Sequence, residues 1–138
     1  MHNSRGFTLI ELLVVIAIIG LLTAVTMASF GSVQKRGRDA RRSSDVQTIA
    51  KALASYAVTS GGNFPITTTP INITGSDALS EILTTAGTIT AVPHDPASPV
   101  QDYTYQTNAE GSTFTISFCL ETETIKGYVQ GCGNTLTP

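Results

Sequence analysis

The chain has 138 residues, one domain's worth, with no room for a second independent core. Only 13% of its residues are charged and its mean hydropathy is +0.16, but the apolar residues crowd one end, which excludes an ordinary soluble globule. Residues 1–51 carry seven basic side chains against three acidic ones, and residues 52–138 carry one against seven. An acidic C-terminal part argues against a nucleic-acid-binding head.

In residues 7–30 the only ionisable side chain is Glu11. As a helix, that stretch is long enough to cross a hydrocarbon layer about 30 Å thick. No proline precedes Pro65, and only Gly20, Gly31 and Gly37 weaken a helix in the interval. Beyond the apolar run, Val46, Ile49, Ala50, Leu53 and Ala57 recur at helical spacing, with Asp45, Lys51 and Ser55 directed elsewhere. Asp39 with Arg42, and Arg41 with Asp45, have the spacing of ion pairs that support an exposed helical surface. Gly61-Gly62-Asn63 supplies a left-handed cap and Pro65 forbids continuation. One helix is therefore predicted from about residue 7 to residue 56 or 60. Its first half is apolar on every face and needs lipid or sister helices; its second half has one apolar stripe and needs a folded head.

The head follows as short elements. Asn72-Ile73-Thr74 fits a glycosylation sequon, but among its threonines it reads as a polar surface loop. Ser76 and Asp77 open a helix carrying Leu79, Ile82, Leu83 and Ala86, stopped by Gly87. Residues 93–99, with Pro-His-Asp-Pro, form a loop. Tyr103 and Tyr105, then Phe114, Ile116, Phe118 and Leu120, alternate with polar residues, the pattern of half-buried antiparallel strands joined through a turn at Gly111. Tyr128-Val129 is predicted as a third strand. The fold class is α+β: a long helix backing a small meander. Cys119 and Cys132 are the only cysteines. If the C-terminal part is exported it meets an oxidising compartment, where a disulfide is expected; closing that loop contributes up to about 3 kcal/mol.

The informative residue is Glu11. A carboxylate at mid-bilayer costs about 2.5–3.5 kcal/mol, and a plain export signal gains nothing from carrying one, although Thr26-Met27-Ala28 before Ser29 offers an ordinary cleavage site. A cut between Gly6 and Phe7 would create an α-amino group about one helical turn from Glu11. When such helices bundle, the ammonium of one neutralises Glu11 of its neighbour. One register satisfies both charges and slipped registers strand them.

Gly6-Phe7-Thr8-Leu9-Ile10-Glu11, followed by the apolar run of residues 12–20, resembles the prepilin signature of type IV pilins and type II secretion pseudopilins. The similarity continues less specifically through Arg38-Asp39-Ala40-Arg41-Arg42 to Asn63-Phe64-Pro65, and the head resembles pilin heads in layout. The resemblance implies a pilin-like α+β fold, with one long N-terminal helix packed against a small antiparallel sheet. It implies a leader at residues 1–6, cleaved after Gly6 by a membrane aspartic prepilin peptidase, and N-methylation of Phe7. Residues 7–32 would form the membrane or filament-core half of the helix, residues 33–60 its amphipathic half, and residues 61–138 a head with a cysteine loop. Glu11 pairs with the Phe7 amine of another subunit, and the helix loosens at Gly20. The partners implied are further copies in a helical filament, the peptidase, a pilus or secretion assembly platform and the inner membrane. The location implied is the inner membrane for the precursor and the cell surface for the filament.

The function implied is that of a pilus subunit serving adhesion, twitching motility or DNA uptake, or else a secretion pseudopilin. A secreted enzyme behind an ordinary signal peptide is the remaining alternative. No catalytic residue, metal or cofactor is expected: His94-Asp95 reads as a turn, and Asp95, Asp102 and Glu110 match no calcium loop. The basic run of residues 35–42 reads as a solvated or headgroup-facing shoulder, with DNA capture the less favoured reading. That run outweighs Arg5, so the positive-inside rule alone would keep the head in the cytoplasm; the resemblance implies export. Ala28 stands where many family members carry a proline, which leaves Gly20 and Gly31 as the places for a bend.

Overall fold

The computed structural model of the chain describes residues 7–67 and 69–138, so the expected leader, Gly6 included, lies outside the described residues, as do the side chains of Ala28 and Ser29. In chain order the elements are α1 (Leu9–Thr59), β1 (Ile71–Ile73), α2 (Ala78–Thr85), β2 (Tyr103–Thr107), β3 (Phe114–Leu120) and β4 (Gly131–Leu136). The expected α+β layout is present, a long N-terminal helix followed by a small antiparallel sheet. The chain divides into two units, one ending at Gln34 and one beginning at Lys35.

In the first unit α1 has no interior to face. The large side chains of the apolar run are exposed all round, from Leu9 at 82% to Val15 at 44%, and the segment long and apolar enough to cross a membrane is 0% buried. Helical backbone continues unbroken through Gly20, Ala28 and Gly31.

In the second unit the helix acquires its stripe. Val46, Ile49, Ala52 and Leu53 are buried, while Ala50 and Ala57 are half-buried at its margin. They pack with Leu79 and Leu83 of α2, Val92, and the inward residues of the sheet: Ile73, Tyr103, Tyr105, Phe114, Ile116, Phe118 and Leu120. The strands run antiparallel in the order β1-β2-β3-β4. The strict alternation of burial along β3 is what its apolar-polar alternation requires. α1 ends where Gly61 and Gly62 adopt positive φ and the Gly62 N–H donates to the Ala57 carbonyl at 2.7 Å. α2 opens on Asp77, whose carboxylate accepts from the Ser80 N–H at 3.0 Å.

Two sequence expectations fail. Asn72-Ile73-Thr74 is not a surface loop: Ile73 is 0% exposed and pairs with Tyr103 at the β1 edge, a single buried side chain hidden among polar neighbours. Tyr128-Val129 is not a strand. The chain turns there around Asn134, 4% exposed, whose side chain accepts from the Val129 N–H and donates to the Val129 and Gly131 carbonyls. Tyr128 instead sets its ring edge-on to Phe118 at 4.9 Å. The third partner of the meander is β4, a Gly- and Asn-containing strand with no apolar alternation. It is held by pairing with β3 and by the Cys119–Cys132 disulfide.

The β2–β3 turn also carries the exit from α1. The Phe64 N–H donates to the Gly111 carbonyl at 2.8 Å, and the Phe64 ring meets Phe114 edge-on at 4.8 Å. A Cβ on Gly111 would lie 3.0 Å from the Phe64 carbonyl oxygen and 3.1 Å from Ile66 Cγ1, on a backbone with φ of 67°. Gly111→Ala is expected to destabilise the chain by about 1–3 kcal/mol. The loss should exceed that of Gly127→Ala, where φ is also positive but the space is open. Denaturant melts of the full chain in detergent measure both; equal midpoints for the two variants would contradict the close approach.

Candidate assembly site on the N-terminal helix

Thr8 and Glu11 begin α1 with a reciprocal pair of bonds. Glu11 Oε2 accepts from the Thr8 N–H and from Thr8 Oγ1, each at 2.8 Å, while Thr8 Oγ1 accepts from the Glu11 N–H at 3.3 Å. This is a capping box, and it sets a carboxylate at a helix N-terminus, where the backbone dipole favours negative charge. The Thr-x-x-Glu spacing that signals it stands in the sequence. Phe7, Ile10, Val14 and Val15 flank the carboxylate with apolar surface. Among the described residues no cation pairs with it. Hydrogen bonds from Thr8 disperse the charge without neutralising it, so the helix presents an anion on an apolar face.

Residues 1–27 match the model of the prokaryotic N-terminal methylation motif. The chain is 38% identical over 54 residues to the type IV major pilin protein PilA of Myxococcus xanthus, covering 39% of this chain and 24% of that protein. Over 39 residues it is 54% identical to the type IV wide pilus major component PilA4 of Thermus thermophilus, covering 28% and 30%. A fimbrial protein of Pseudomonas aeruginosa is 36% identical over 70 residues, covering 51% and 45%. The N-terminal segment of the chain is thus similar to those of type IV pilins. The matched stretches span less than half the length of these relatives. No solved structure matches significantly. The match to the methylation motif lies within residues 1–27.

The head is fastened to its part of α1 by ions that the sequence pattern alone places on the surface. The Arg42 side chain is fully buried. Its Nε and Nη2 form a fork on Asp95 at 2.8 and 3.1 Å, and its Nη1 donates to Asp39 at 3.0 Å and Glu121 at 2.8 Å. Arg38 forks onto the same Glu121 at 2.7 and 2.6 Å. Asp39, also fully buried, accepts from the backbone N–H groups of Glu121 and Thr122 and from the Thr122 hydroxyl. The Asp39–Arg42 pair therefore does not support an exposed surface. The basic run divides: Arg38 and Arg42 turn into the head, while Lys35, Arg36 and Arg41 are exposed. Asp45, expected to point elsewhere, accepts from the Tyr103 hydroxyl at 3.1 Å. Asp95 lies in its loop but is buried as an Arg42 partner, Asp102 accepts from Asn72, and Glu110 accepts from Asn108. Among the described residues no three His, Cys, Asp or Glu side chains gather as metal ligands.

Hydrogen bonds from Arg38, with those from Arg42, hold the Glu121 carboxyl down to about 2. Burial opposes the Asp39 charge, but the Glu121 N–H, the Thr122 hydroxyl and Arg42 outweigh it and lower its pKa. Burial likewise opposes the Arg42 charge, and the carboxylates of Asp95 and Glu121 outweigh that, raising its pKa. Both acids bind protons less readily folded than unfolded. For Glu121 that stabilisation is complete above the ordinary value of 4.5 and is lost as the pH falls toward about 2. Arg42→Ala is expected to cost about 3–5 kcal/mol, because it leaves carboxylates buried without a cation. It should also shrink the loss of stability between neutral pH and pH about 3. Melts of the full chain in detergent across that range test this; an unchanged acid dependence would contradict the ionic account.

Proposed function

We propose that this chain is the structural subunit of a type IV pilus. The observation that carries the proposal is the single anion of Glu11 on a helix segment 0% buried, one turn from the Gly6-Phe7 junction of a methylation motif. A prepilin peptidase removes residues 1–6, the new Phe7 amine is methylated, and the precursor waits in the inner membrane. An assembly platform then draws subunits into a homo-oligomeric filament in which the apolar helices cover one another. The Phe7 ammonium of one subunit meets Glu11 of another and sets their register. The capping box suits this step, since Thr8 holds the carboxylate in place before its partner arrives. Loosening at Gly20 accommodates the packed helices. The finished fibre stands at the cell surface and serves adhesion, twitching motility or DNA uptake. The names of the curated relatives, all pilus or fimbrial proteins, support a pilus over a secretion pseudopilus.

Mass spectrometry of the chain from its native membrane is expected to find methylated Phe7 as the first residue; a chain beginning at Ser29 would remove the filament reading. Glu11→Ala should still be processed. Its fibre yield, counted by electron microscopy of sheared cells, should fall about a hundredfold or more, as loss of a buried ion pair implies. Normal fibres from that variant would show that the carboxylate does not set the register.

A further inference from the structure

The head carries a groove that its own core does not use. It has a volume of about 500 Å³ and is lined by Tyr56 near the end of α1, by Ala78, Glu81, Ile82 and Thr85 of α2, and by Ala86, which caps that helix. The wall is apolar, with Ile82 39% exposed, and Glu81 stands on it as an exposed anion. Such a lining suits a cation with an aliphatic stem, the stem along the apolar wall and the head group on the carboxylate.

The same unit offers matching groups. Of the exposed cations on α1, Arg41 has Asp45 within 3.6 Å, whereas Lys35 and Arg36 have no ion-pair partner among the described residues. Arg38 and Arg42 are committed to the head. Lys35 and Arg36 form a doubled positive charge, and the sequence beyond residue 51 is acidic by seven side chains to one. Along α1, Arg36 lies about 30 Å below Tyr56. A parallel copy displaced upward by that distance brings its Lys35 and Arg36 level with the groove.

We propose that this groove receives Lys35 and Arg36 of a second copy of the chain, Glu81 meeting their charge while Tyr56 and Ile82 cover their stems. The proposal rests on the filament reading and adds to it a head-level contact distinct from the Glu11 pairing. The displacement makes this partner a more distant neighbour along the fibre than the one whose Phe7 meets Glu11. Opposite charges at the contact favour the correct stagger, and like charges oppose it.

The test uses fibres sheared from cells making the full chain. Glu81→Lys is expected to lower fibre yield about tenfold. The combined change Lys35→Glu with Arg36→Glu should do the same, and joining it to Glu81→Lys should restore the yield. Lys51→Glu joined to Glu81→Lys should restore nothing. Independently, Glu81→Cys with Arg36→Cys should give oxidised dimers on a denaturing gel, from fibres and not from membranes before assembly. Fibres that form from the cysteine variant without crosslinks, charge reversal without effect, or restoration by Lys51→Glu would each overturn the groove contact and leave the filament reading standing. Failure of the unaltered chain to form fibres under conditions of assembly would remove the filament reading, and the occupant of the groove with it.

Discussion

A buried guanidinium attracts carboxylates strongly and tolerates their loss badly, and the head is organised around one. Arg42 joins three stretches of chain that otherwise have little reason to meet: its own helix through Asp39, the loop of residues 93–99 through Asp95, and the segment after β3 through Glu121. Asp39 completes the arrangement by accepting the two backbone N–H groups that follow β3. The apolar stripe of Val46, Ile49 and Leu53 supplies most of the burial. The ions supply direction, because a forked Arg–carboxylate bond accepts only a narrow range of geometries, whereas apolar surfaces slide.

A different constraint governs the first unit. Beyond its first turn the helix satisfies its backbone groups internally, as a segment in lipid must, and leaves its side chains to be covered by something else. Glu11 is the exception in that apolar surface. The Thr8 capping bonds give it a fixed place without cancelling its charge. An apolar helix alone would pack against copies of itself in many registers; a fixed charge distinguishes among them. The proposed filament therefore combines a non-directional attraction with a single directional one.

The long helix, its glycine cap, the Asp77 start of α2 and the β2–β3 hairpin were legible because each is written in local periodicity or turn chemistry. So was the disulfide, from two cysteines and an export context. The ionic cluster was not. Asp39 and Arg42 have the spacing of a surface pair, and nothing nearby in sequence reveals that Glu121 and Asp95 will enclose them. β1 and β4 escaped for the converse reason: β1 is only three residues long, Ile71–Ile73, β4 lacks apolar alternation, and their positions are set by pairing with β2 and β3. At the candidate site both the charge of Glu11 and the Thr-x-x-Glu spacing of its cap are written in the sequence.

The sheet order follows the sequence. β2 pairs with β3 and β3 with β4 across short connections, while β1 reaches β2 across α2 and the loop beyond it, so most of the sheet asks little of distant segments. The Arg38 and Arg42 bonds to Glu121 are the opposite, spanning 83 and 79 positions. Ribosomes deliver Arg42 well before Asp95 and Glu121, and until those follow, Asp39 is its only partner of the finished cluster. Completion of the head therefore waits on the last third of the chain, and a truncated product would leave an open cation where a finished one is sealed.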